Sequence, residues 1–80
     1  MFRKKIELTF YFPNRESALK LYDEAIKLGI PSTFSSSYDS EISDIKIRYK
    51  SFCTVTVVEH SKTEKRLIAS AYALEGILIN

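Results

Sequence analysis

Tryptophan is absent from this chain, cysteine and histidine occur once each, and glycine and proline twice each. Each shortage excludes something. One cysteine cannot form an internal disulfide, which fits a reducing, cytoplasmic setting. One histidine and one cysteine are too few soft or imidazole ligands for a zinc-type centre. No glycine-rich loop is present to cradle a phosphate. With so few glycines and prolines, long irregular loops are not expected. No apolar run approaches the ~20 residues of a membrane span, and the opening MFRKKIELTF lacks the apolar core of a signal peptide.

What is present is ordinary for a globular protein: 45% apolar and 28% charged residues, a balance unlike that of a disordered segment. Twelve basic against ten acidic residues give a net charge of +2, too small to imply nucleic-acid binding from bulk charge. Eighty residues predict a single α+β domain over 1–80, burying only about 60–65% of its unfolded surface. The frequency of Lys, Ile and Ser is that of an AT-rich genome, viral or bacterial.

Residues 4–12 (KKIELTFYF) alternate, with Ile6, Leu8, Phe10 and Phe12 on one side and Lys5, Glu7, Thr9 and Tyr11 on the other. That is the period of a half-buried strand, closed by Pro13. Asn14 then suits a helix N-cap, and Ala18, Leu21, Ala25 and Leu28 recur at helical spacing up to Gly29, a left-handed stop. Residues 33–38 (TFSSSY), with Phe34 and Tyr38 on one side, predict an edge strand; residues 39–44 (DSEISD) read as a turn. Alternation resumes at Ile45 and holds its phase to Val58. This favours one long strand over a hairpin turning near Lys50 and Ser51, where no Gly or Asn marks a turn. Ser61 and Glu64 form a capping box for a second helix running to Glu75, stopped by Gly76 and followed by a short apolar segment.

A shift of 47 residues places Ser61 on Asn14, Gly76 on Gly29, Ile77 on Ile30, and Cys53, Val55 and Val57 on Ile6, Leu8 and Phe10. Two strand–helix–strand units predict the ferredoxin-like split β-α-β fold, an antiparallel sheet with both helices on one face. The other face is then bare and carries Lys5, Glu7, Thr9, Tyr11, Lys46, Arg48, Lys50, Phe52, Thr54, Thr56 and Val58. Two aromatics, a basic stripe and a β-branched patch predict a covered, working surface.

Catalytic readings have little to stand on. His60 reads as a surface residue beside a helix cap, and Cys53 as a buried, inert thiol. Asp39, Glu41 and Asp44 read as a solvated turn rather than a hard-cation site. The serines at 32, 35, 36, 37, 40 and 43 read as a polar edge strand and loop rather than a modification target. Neither a metal nor a cofactor is implied, and the chain reads as a non-enzyme.

Residues 50–57 (KSFCTVTV) resemble the longer signature of RNA-recognition-motif domains, basic-Gly-aromatic-small-aromatic-Val-x-aromatic. Residues 10–14 (FYFPN) resemble the shorter one, aliphatic-aromatic-aliphatic-x-Asn. Ser51 stands in place of the glycine and Thr54 in place of the second stacking aromatic. The resemblance implies that Tyr11 and Phe52 stack bases while Lys50 meets phosphate. Two functions are therefore expected of the bare face. One is a small regulatory or inhibitor protein, of the kind viruses or mobile elements encode, that binds a protein or nucleoprotein partner or a second copy of itself through this face or through the polar edge strand. The other is single-stranded RNA binding, with Lys46, Arg48 and Lys50 supplying phosphate contacts.

Overall fold

A computed structural model describes residues 3–40 and 47–79. Six elements follow in order: β1 (Lys5–Phe12), α1 (Arg15–Lys27), β2 (Ser32–Ser40), β3 (Ile47–Val58), α2 (Lys62–Ala73) and β4 (Ile77–Leu78). The sheet is antiparallel, in the order β2-β3-β1-β4. Both helices lie on one face, so the chain has the ferredoxin-like split β-α-β fold. Among the described residues no helix is long and apolar enough to cross a membrane.

The core sits between that face and the helices. Leu8, Phe10 and Phe12 of β1 and Cys53, Val55 and Val57 of β3 point into it, against Ala18, Leu21 and Ala25 of α1 and Leu67 and Ala71 of α2. The alternation in the two strands dictates this face. The alanines at three of the five buried helix positions let the helix backbones approach the sheet closely. Phe10 and Phe12 are fully buried, and each contributes about 1.5–3 kcal/mol of transfer free energy. Leu28 does not join the stripe: it is the C-cap of α1 and 40% exposed.

The helix starts are those the caps predict. Asn14 Oδ1 accepts from the Ser17 N–H at 2.8 Å, and Ser61 Oγ from the Glu64 N–H at 3.2 Å. The Glu64 carboxylate reaches back to the N–H of His60, one residue further than a standard capping box, because the Ser61 N–H already donates to the Val58 carbonyl.

The first helix ends as expected and the second does not. In α1 the Gly29 N–H donates to Ile26 O and the Ile30 N–H to Ala25 O, with Gly29 at φ 73°: a Schellman ending with glycine in the left-handed position. In α2 the same bonds run from Glu75 to Tyr72 O and from Gly76 to Ala71 O, and Glu75, at φ 66°, takes the left-handed role. The two units coincide at their caps but slip by one residue at their stops. Gly76 serves another purpose. A Cβ there would lie 2.5 Å from the Phe12 ring and 3.0 Å from the Ala71 carbonyl oxygen.

β2 is longer than expected. Asp39 and Ser40, read from sequence as the start of a turn, continue the strand and pair with Arg48 and Ile47. Glu41 and Asp44 lie outside the described residues, as do Ser43, Ile45 and Lys46. β3 is uninterrupted through Lys50 and Ser51, as its phase predicts. Because β1 ends where Phe12 meets Ser51, the outer parts of β2 and β3 form a two-stranded ribbon beyond the helices. The radius of gyration, 13.9 Å, accordingly exceeds the ~11.6 Å of a compact chain of this length.

Candidate functional site: the helix-free face of the sheet

Strand register lays the outer face out in rows. The first runs Ser35, Phe52, Tyr11, Ile77 across β2, β3, β1 and β4. The second runs Thr33, Thr54, Thr9, and continues to Ile79, whose N–H donates to the Thr9 carbonyl at 2.9 Å. A third pairs Thr56 with Glu7, and a fourth Val58 with Lys5. The face therefore has two characters. Towards β4 it is apolar and aromatic; towards β2 it is a field of hydroxyls.

Tyr11 and Phe52 are directly opposite one another, with ring centroids 5.6 Å apart and planes tilted by 55°. This is a favourable tilted arrangement, and it leaves both rings half-buried. Ile77 and Ile79 are each 55% exposed beside them, Ile77 in the two-residue edge strand β4 and Ile79 directly after it. The Thr9 and Thr54 hydroxyls, 3.0 Å apart, satisfy each other at the centre of the face.

Of the residues singled out from sequence, Tyr11, Phe52, Thr54, Thr56 and Val58 share this face. Lys50 is on it too, opposite Ser37, but beyond the end of β1. Arg48 lies further out on the ribbon, at the register position opposite Asp39. Lys46 lies outside the described residues. Lys50 thus flanks Phe52 on the ribbon side, while the other neighbours of the aromatic pair are Ser35, isoleucines and threonines. Ile77 and Ile79 were missed by sequence reasoning. Alternation in the run Ile77, Leu78, Ile79 puts the two isoleucines on one side, but only the pairing of Ile77 with Tyr11 shows that this is the outer side.

The chemistry-bearing side chains lie elsewhere. Cys53 is fully buried, and burial pushes its thiol up to about 11, so it is neutral at ordinary pH. His60 is exposed, in left-handed backbone at φ 60°, with Nε2 3.2 Å from a Glu59 carboxylate oxygen. Among the described residues no three His, Cys, Asp or Glu side chains converge to hold a metal. A cleft of about 220 Å³ at the far end of the sheet, between Pro31, Val58 and Thr63, offers one charged group, Lys5. Ser51 is inside, fully buried, its hydroxyl 3.1 Å from that of Ser36.

No protein-family model and no curated protein sequence matches the chain. Among solved structures it is similar to CutA from Synechococcus elongatus PCC7942, with a TM-score of 0.56 over 98% of this chain and 77% of that one. Identity is 10%, so the likeness is one of fold.

Proposed function

We propose that the chain is a non-catalytic binding protein that regulates or inhibits a protein partner by docking on it with the Ile77–Tyr11–Phe52 side of its sheet. The row of three apolar side chains across three strands, with Ile79 beside it, supports this reading. Interfaces concentrate their energy in a few central aromatic and aliphatic anchors ringed by polar groups. Here the ring is Thr9, Thr54, Thr33 and Ser35 on one side and Glu7 and Lys5 along β1. Rigid placement on paired strands lowers the ordering cost of binding.

A second reading, single-stranded RNA, draws on the position of Lys50 on the same face two residues from Phe52. Base stacking is worth about 1–3 kcal/mol per aromatic, but the tilted Tyr11–Phe52 pair would have to open to offer two flat platforms. The protein reading needs no such rearrangement, which is why it is preferred.

The test is co-purification from the cells that naturally express the chain, comparing wild type with a Tyr11→Ala/Phe52→Ala double variant, each with and without nuclease. The proposal expects a stoichiometric protein that resists salt and nuclease and is lost from the double variant while its circular dichroism is unchanged. Nucleic acid released by moderate salt would support the RNA reading instead. A partner retained equally by the double variant would contradict both.

A further inference from the structure

The two edges of the sheet are unequal. β4 is two residues long and presents little unpaired backbone. β2 is nine residues, and its register with β3 runs from Ser32 to Ser40 without a bulge. Proteins usually guard a long edge with lysine, proline or a bulge. β2 (STFSSSYDS) has none of these, and Asp39 is its one charged residue.

Backbone parity identifies which groups the open edge presents. The Thr56 N–H donates to the Pro31 carbonyl at 2.9 Å, which makes Pro31 and Thr56 a hydrogen-bonded pair. In an antiparallel ladder such pairs alternate, so Thr33, Ser35, Ser37 and Asp39 spend their backbone groups on β3. Those of Ser32, Phe34, Ser36, Tyr38 and Ser40 are directed to the open side, where no described strand pairs with them. The strand is also symmetric about its middle residue. Stepping outwards from Ser36 meets Ser35 and Ser37, then the aromatics Phe34 and Tyr38, and finally Ser32 and Ser40; only Thr33 and Asp39 differ in kind.

We infer that β2 pairs antiparallel with β2 of a second copy of this chain, about a two-fold axis at Ser36. That register matches Ser36 with itself, Phe34 with Tyr38 of the second copy, and Ser32 with Ser40 of the second copy. Every matched position has its backbone groups directed at the open edge, so parity and sequence symmetry select the same pairing. Each matched pair exchanges two backbone hydrogen bonds, and the register sets an aromatic residue opposite an aromatic residue. An interface of this kind is self-complementary and closed, as a two-fold dimer requires. The axis runs through the sheet, so both outer faces point to the same side and the Tyr11–Phe52 rows stay open.

Light scattering after size exclusion, across a dilution series, tests this with two substitutions at one position. Ser36→Pro removes an N–H that makes no bond within the chain, and edge strands tolerate proline there. Ser36→Ala removes the same hydroxyl, and its contact with Ser51, but keeps the N–H. The inference expects wild type and S36A at twice the 9.2 kDa chain mass, with the S36P dissociation constant raised about 30-fold or more by two lost hydrogen bonds and the ring's bulk. A wild-type monomer or trimer, or a dimer that S36P leaves intact, would overturn it. So would a dimer broken by Phe52→Ala instead, which would place the contact on the outer face. Amide exchange in the wild type gives an independent reading should S36P fail to fold. The amides of Phe34, Ser36 and Tyr38 should gain protection as the protein is concentrated, and exchange independent of concentration would contradict the pairing.

Discussion

The two faces of the sheet are built from the same strands, residue by residue in alternation, yet they were shaped for different ends. The inner positions Leu8, Phe10 and Phe12 of β1 and Ser51, Cys53, Val55 and Val57 of β3 are apolar or small, and all are buried. The outer positions mix threonine, tyrosine, phenylalanine, lysine and glutamate, and no described element packs over them. Folding explains the first set. It does not explain why Tyr11, Phe52, Ile77 and Ile79 gather in one corner of the second. The proposed docking role would account for that cluster.

Mutations should separate the faces. The largest effect belongs to the inner one: Phe10→Ala should cost about 3–5 kcal/mol, enough to unfold a domain of this size, as urea denaturation would show. Cys53 gives a pH signature of the same face. In the unfolded chain the thiol ionises above about pH 8.5; in the folded chain it holds its proton to about pH 11. The unfolded state therefore binds fewer protons across that window, and stability falls as pH rises through it, by on the order of 3 kcal/mol. Comparing the pH dependence of wild type with that of Cys53→Ala isolates this contribution, which should vanish in the variant.

Gly76→Ala sharpens the contrast differently, since it adds only a methyl. It presses the Phe12 ring and should cost about 1–3 kcal/mol, whereas Gly76→Ala combined with Phe12→Leu should recover part of that loss in thermal melts. On the outer face Phe52→Ala should cost about 1 kcal/mol, the tilted contact with Tyr11 plus a half-buried ring, while removing most of the partner affinity. Smallest of all, replacing Thr9 and Thr54 together by valine should leave stability within about 0.5 kcal/mol, because both members of a mutually satisfied hydroxyl pair are removed at once.

Much of this arrangement was legible in the chain. Strict alternation in β1 and β3 fixes which residues face the helices, and Asn14, Ser61 and Gly29 mark helix boundaries by local hydrogen-bonding needs. What was not legible depended on distant partners. Asp39 and Ser40 have turn-forming side chains, yet pairing with β3 holds them in a strand. Gly76 looks like a helix stop because its reason for being glycine, the ring of Phe12, lies 64 positions away in sequence (76 − 12). The aromatic pair could be foreseen from two alternating strands. Its isoleucine neighbours could not, since that required knowing that β4 lies beside β1 with Ile77 opposite Tyr11. Of the basic residues, Lys50 and Arg48 lie on β3 as its alternation predicts, Lys50 next to Phe52 along the strand, but β1 ends at Phe12, short of both.

The most direct test of a working outer face uses a photo-cross-linking benzoylphenylalanine at position 52 and, as control, at Tyr72, which is 58% exposed on α2. Irradiated in the native cell, the probe at 52 should give one discrete protein adduct and the probe at 72 none. Equal adducts from both positions, or none from 52, would contradict the account.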